Sequence, residues 1–166
     1  LLKTDEQKTL LLLNVNNFSY INTAYGFEVG DKLLINLANI LQNDFNTNST
    51  CRINSDEFAL LYYEDIDIEQ KTSEIQDYFY NKEILIDNIT LNVSFTYGAA
   101  HGETNLLRNS ALALKQAKES GKNNLYIFNQ DSDSIDHSQR ETFIASNYIL
   151  HNALNEGRVI PYFQGI

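Results

Sequence analysis

The sequence predicts an α+β domain: a central, mixed and mostly antiparallel sheet of about five strands flanked by helices. Two observations lead there. Apolar patterning alternates between short strand-like runs and longer helical stripes, in the order strand–helix–strand–strand–helix–strand–helix–strand. The chain has 166 residues, 43% of them hydrophobic, which is enough to bury a sizeable core without a metal or disulfide staple.

The elements read in order as follows. Residues 9–15, Thr-Leu-Leu-Leu-Leu-Asn-Val, form an apolar run that ends polar, as a buried strand does when its end reaches a site. Asp31 to Phe45 repeats Leu33, Leu34, Leu37, Ile40 and Leu41 at helical spacing after a Gly30-Asp31 start. Residues 50–53 and 57–63 read as two strands around a tight turn. Ile66 to Lys82 places Ile68, Ile75 and Phe79 on one helical face. Residues 84–86 and 89–99 are strand-like, with Asp87-Asn88 as a hairpin turn. Glu103 to Ser120 is a helix with Leu107, Ala111, Leu114 and Ala117 as its stripe, and Gly121 stops it. Leu125 to Phe128 makes a last strand.

After residue 129 the composition changes. Residues 130–138 are polar and aperiodic and read as a linker. Residues 139–166 then read as a new helix, with Phe143, Ile144, Leu150 and Leu154 as its stripe, followed by a strand without a partner in this sequence. The chain has no Met, so it is expected to start inside a longer gene product, as a cytoplasmic piece.

Charge excludes several classes. Twelve basic and 22 acidic residues give a net charge of −10. That opposes non-specific nucleic-acid binding and an anionic membrane surface. No apolar run reaches the ~18 residues of a membrane span. The single Cys51 rules out a disulfide framework and reads as a small buried apolar side chain rather than a nucleophile.

Four clusters could carry chemistry. Asn54-Ser55-Asp56-Glu57-Phe58 places adjacent carboxylates between two strands. These could hold Mg²⁺, which wants a few hard oxygens, or form a solvated acidic turn. Asn14, Asn16 and Asn17 end the first strand, where Asn also simply tolerates turn geometry. Asn22, Gly26, Gly30 and Asp31 precede the first helical stripe. An amide and a carboxylate there could read a purine edge, or cap and turn the chain. Lys115, Lys118 and Lys122 cluster near a helix C-terminus, as a phosphate clamp or as dipole partners.

Together these pieces resemble one family. Phe18-x-x-Ile-Asn-x-x-Tyr-Gly-x-x-x-Gly-Asp, Arg52-x-x-x-Asp-Glu-Phe, Thr96-Tyr-Gly-Ala-Ala and Ala117-Lys-x-x-Gly-Lys-Asn follow the order and spacing of GGDEF diguanylate cyclases, over roughly residues 8–129. The tail, Ala153-Leu-Asn-Glu-Gly157 and Tyr162-Phe-Gln-Gly165, resembles the start of an EAL cyclic di-GMP phosphodiesterase domain. The resemblance implies a palm-like nucleotidyl-cyclase fold over residues 1–129, a linker at 130–138, and the first helix and strand of a truncated EAL domain at 139–166.

It also implies roles. Asn22 and Asp31 would read guanine, and Lys118 and Lys122 would contact phosphates, the latter being Lys where Arg is usual. Asp56 and Glu57 would be the catalytic carboxylates and, with the Val15 backbone and the position of Asn14, would hold the metal.

Several departures touch that centre. The signature's two glycines are Asn54 and Ser55, so two Cβ atoms stand where the backbone must approach the nucleotide. The metal-ligating Asp is Asn14, the strand's second Asp is Asn16, and a phosphate-side Lys is Ser19. The inhibitory product site would need Arg and Asp where Phe45 and Asn48 stand. The expected function is therefore a degenerate GGDEF domain in a cyclic di-GMP signalling protein. It would bind GTP with weak or absent Mg²⁺ and regulate an adjacent EAL domain, with a homodimer as a further partner. A weakly active diguanylate cyclase and a dimerisation module that binds no nucleotide are the alternatives.

Overall fold

The computed structural model describes residues 7–129. The expected linker at 130–138 and the helix and strand at 139–166 lie outside the described residues. No described helix is long and apolar enough to cross a membrane.

The described elements are β1 (Lys8–Val15), α1 (Phe18–Tyr25), α2 (Phe27–Asp44), β2 (Ser49–Arg52), β3 (Glu57–Tyr62), α3 (Ile68–Tyr80), β4 (Ile84–Ile86), β5 (Ile89–Leu91), β6 (Phe95–Gly102), α4 (Leu106–Glu119) and β7 (Leu125–Ile127). Five strands form one sheet in the order β2-β3-β1-β6-β7, and β4-β5 is a separate hairpin. β1 lies in the centre, antiparallel to both β3 and β6, while β7 joins β6 in parallel. Burial on both faces explains why β1 is a continuous Leu run rather than an alternating one.

One face carries the main core, where Leu11, Leu13, Phe58, Leu60, Phe95 and Tyr97 meet the stripes of α2 and α3. On the other face Leu10, Leu12 and Ala59 pack with Leu114 of α4. A Cβ on Gly98 would stand 2.1 Å from the backbone N of Leu114. The glycine in Thr96-Tyr-Gly-Ala-Ala is therefore what lets α4 lie directly on β6.

Four expectations need correction. The buried face of α4 is Ser110, Ala113, Leu114 and Ala117, set by its close approach to β6 at Gly98, so Leu107 and Ala111 of the expected stripe are exposed. The segment before the first helical stripe is itself a helix, α1, and α2 begins at Phe27 rather than Asp31. Its eight residues bury only Phe18, too short a stripe for periodicity to show. The expected strand 89–99 is two strands, broken at Asn92–Ser94. Cys51 is exposed, because β2 is an edge strand that faces solvent.

Candidate functional site

The C-terminal end of β1 and the β2–β3 turn come together through the antiparallel register, in which Asn14 faces Glu57. Val15 N donates to Asp56 O at 2.8 Å, so the turn is fastened to the strand end. A cleft of about 250 Å³ opens there. Asn14, Val15, Ser19, Asp56, Lys118 and Lys122 line it, with Asn16, Asn17 and Thr96 on its floor and wall. The cleft thus gathers the residues predicted for the metal and phosphate side except Glu57, which pairs with Asn14 across the strands but does not line it.

Glu57 is not free within that arrangement. Its Oε1 lies 2.6 Å from Lys118 Nζ, and its Oε2 accepts from Asn54 Nδ2 at 2.5 Å. The Glu57 side chain is only 16% exposed, which makes the pairing stronger than an ordinary surface bridge. Asp56 accepts from the Ser55 hydroxyl at 3.1 Å. Asn14 turns its Nδ2 toward Asp56 O at 3.5 Å, a weak contact that presents an amide donor where a metal needs an anion. Among the described residues no group of three or more His, Cys, Asp or Glu could hold a metal ion. This donor set does not fit a pair of divalent cations. One carboxylate is doubly engaged, one ligand position is neutral, and Asp56 is left to act alone.

The cleft's basic side chains are better placed. Lys122 Nζ lies 2.5 Å from Asn17 Oδ1, which fixes its ammonium at the cleft wall. Asn17 itself sits in the left-handed region at φ 60° and starts α1. Asn16, nominally another lost carboxylate, has a structural role. Its Nδ2 donates to Ser94 Oγ at 3.0 Å and to Asn123 Oδ1 at 2.9 Å, and its Oδ1 accepts from Thr96 at 2.7 Å. It ties β1 to the start of β6 and to the turn that carries Lys122. Sequence reading had put Asn16 at the reaction centre and had missed Ser94 and Asn123, whose pairing with it is long-range and leaves no local pattern.

The predicted purine-reading pair does not line this cleft. Asn22 stands on α1 and Asp31 on α2, in a tight helical corner at Gly26, whose φ is +89°. Asn22 Oδ1 is buried without a hydrogen-bond partner, and a Cβ on Gly30 would come within 1.9 Å of it. Gly30 therefore makes the seat for the Asn22 amide, and Nδ2 is the end left for a ligand. Asp31 is exposed.

Of the two positions expected to differ from an inhibitory product site, Phe45 is packed into the core and Asn48 is exposed. Phe45 is buried and meets Tyr78 edge-on at 5.2 Å, and Asn48 Oδ1 accepts from Tyr63 N at 2.8 Å.

The family described as diguanylate cyclase, GGDEF domain, matches residues 2–124. The biofilm architecture maintenance protein MbaA of Vibrio cholerae is 29% identical over 144 residues, 76% of this chain and 18% of that protein. The bifunctional diguanylate cyclase/cyclic di-GMP phosphodiesterase MucR of Pseudomonas aeruginosa is 22% identical over 98% of this chain and 24% of its own length. The chain thus spans a quarter or less of the length of these two relatives. An EAL/GGDEF domain protein from M. capsulatus superposes with a TM-score of 0.67 at 30% identity, covering 76% of this chain and 88% of that one.

Proposed function

The chain belongs to the GGDEF diguanylate cyclase family, and from that premise we propose that it is a degenerate member that binds GTP without useful turnover and regulates an adjacent EAL phosphodiesterase domain. The observation that carries this reading is the double engagement of Glu57, by Lys118 at 2.6 Å and by Asn54 at 2.5 Å. Asn54 stands where the family has glycine, so the substitution both adds bulk to the turn and supplies the amide that occupies the carboxylate.

The reaction of this family joins two GTP molecules by attack of a 3′-hydroxyl on an α-phosphate. Divalent metal offsets the charge that develops. Asn14, Asp56 and Glu57 do not make a site for it here, so no step is routed through metal. What this chain's residues do is bind. Asp31 accepts from guanine's N1–H and exocyclic amine, and Asn22 Nδ2 donates to its carbonyl. Lys118 and Lys122 face the phosphates. Lys118 then exchanges Glu57 for phosphate oxygens, and the triphosphate's charge takes the place of the carboxylate's.

MucR's description, with both activities in one protein, and the EAL/GGDEF protein from M. capsulatus support an EAL domain as the partner. GTP would bias the placement of that domain only by its difference in affinity between two placements. Calorimetric titration with GTP, with and without Mg²⁺, followed by chromatography for cyclic di-GMP, tests the reading. Saturable binding without product is expected. Product at the rate of an intact family member would overturn it.

A further inference from the structure

A second cavity lies apart from the nucleotide cleft. It measures about 680 Å³ and opens between the C-terminal half of α3 and the start of β6. Four rings line it, from Phe79, Tyr80, Phe95 and Tyr97, together with the amides of Gln76, Asn92 and Asn123. Tyr97 is fully buried, and its hydroxyl makes no hydrogen bond. A buried hydroxyl left unpaired costs about 1–3 kcal/mol, so one without a protein partner marks a place for a ligand or a water. Burial pushes the Tyr97 hydroxyl's pKa up, so it stays protonated and can donate.

The lining defines the ligand. No Lys, Arg or His is among these residues, and Asp77 stands among them. With the chain's net charge of −10, an anion is disfavoured. Aromatic walls favour a flat apolar body, and the convergent amides favour a few polar edges.

We propose that this cavity is a second ligand site, for a neutral, flat heteroaromatic molecule whose hydrogen-bond acceptor meets the Tyr97 hydroxyl. The site does not depend on the nucleotide reading. Its link to the cleft does. Gln76 Nε2 donates to Asn123 O at 3.2 Å, and Asn123 Oδ1 accepts from Asn16 at 2.9 Å. The turn that carries Lys122 is therefore held from this cavity on one side and from β1 on the other. A ligand that displaces Gln76 loosens that hold and alters GTP affinity.

The probe is isoquinolin-1-one, a neutral bicyclic lactam, followed by amide NMR on the whole 166-residue chain. Saturable shifts are expected at Gln76, Ser94, Phe95 and Asn123, with a dissociation constant of ~1 mM or tighter, as suits so small a ligand. The isoquinoline-1-carboxylate anion should bind at least ~5-fold more weakly, and Tyr97→Phe should weaken the lactam about 5–10-fold. Asn92→Trp, at an exposed position of the lining, blocks the cavity and abolishes the shifts if Tyr97→Phe perturbs the fold. Scattered non-saturating shifts, equal binding of the anion, or a lactam affinity unchanged in both variants would overturn the site. If the lactam binds as expected but leaves GTP affinity unchanged, the link is overturned and the site stands.

Discussion

Lys118 Nζ lies 2.6 Å from Glu57 Oε1, while the other oxygen of the same carboxylate is taken by Asn54. A β3 side chain and an α4 side chain are thus locked together beside the cleft that Lys118 lines, with the signature turn as the third party. The consequence is chemical. A divalent ion would have to displace both partners to reach Glu57, and would find beside it only Asp56, a neutral Asn14 and the Val15 backbone.

Cyclase turnover is therefore expected to fall on the order of 10³-fold or more below that of an intact family member, several kcal/mol of barrier. Asn54→Gly frees Glu57 Oε2, and Asn14→Asp restores the missing charge. Mn²⁺ titration followed by electron paramagnetic resonance should show no tight site in the unaltered chain. It should show a bound ion in the double variant, with each single variant in between. Equal Mn²⁺ affinity in all four proteins would remove the lock from the explanation.

Asn16 is expected to matter for stability rather than for chemistry. Asn16→Ala leaves Ser94, Thr96 and Asn123 without their shared partner at a position only 9% exposed. A loss of roughly 2–3 kcal/mol in urea unfolding is expected. GTP affinity should fall with it, because the turn carrying Lys122 loses one of its two anchors. A variant as stable as the parent would place the fastening elsewhere.

The contrast between Asn16 and β1 shows what the sequence makes legible. The Leu run of β1, the α2 stripe, the α4 helix and the Asp87-Asn88 hairpin are local patterns, and each is found within a few residues of its expected place, although the buried face of α4 is turned to Ser110, Ala113, Leu114 and Ala117. The separated motifs carried the family because each is short-range and their order is fixed. α1 escaped because eight residues with one buried side chain give no period. The break at Asn92–Ser94 escaped because buried Val93 between exposed Asn92 and Ser94 continues the alternation of a strand. Cys51 was misplaced because strand order decides exposure, and strand order is a long-range property. Within the site, Asp56, Glu57, Lys118 and Lys122 were legible as types. That Glu57 is occupied depends on contacts across 3 and 61 positions, and the longer one has no sequence signature.

Alkaline pH should unfold the domain through Tyr62. Its ring is 1% exposed, and burial, helped by the nearby Glu74 charge, raises its hydroxyl's pKa from 10.0 to about 12. A group whose folded pKa is raised binds its proton more tightly in the native state. Its contribution is fully present below pH 10 and is lost as pH rises from about 10 to about 12. The loss amounts to roughly 2–3 kcal/mol. Tyr62→Phe should flatten that limb of the stability curve, read as urea midpoints at several pH values, by about one proton. Tyr97, which burial shifts in the same direction, keeps the remainder. An unchanged slope would mean that Tyr62 ionises freely in the folded state.

Guanine selectivity should rest on the α1–α2 corner and outlast the loss of catalysis. Asn14 and Ser19 line the cleft and Asn54 and Ser55 sit in the adjoining β2–β3 turn, while Asn22 and Asp31 stand apart from it on two packed helices. A carboxylate at position 31 accepts from guanine's N1–H and repels the bare N1 of adenine. GTP should therefore raise the melting temperature more than ATP. At tenfold excess over Kd the stabilisation is about 1.4 kcal/mol, or roughly 3–5 °C for a domain of this size. Asp31→Ala should abolish the difference without changing the melting temperature of the free protein, since the side chain is exposed. Gly30→Ala is the complementary test. Its Cβ would take the space of Asn22 Oδ1, the far end of a side chain that can swing away. The fold should survive while Asn22 leaves its seat, and the GTP shift should shrink toward that of ATP. Equal shifts for both nucleotides in the parent chain, or a GTP preference that survives both substitutions, would move recognition to another site and leave a dimerisation module as the reading to pursue.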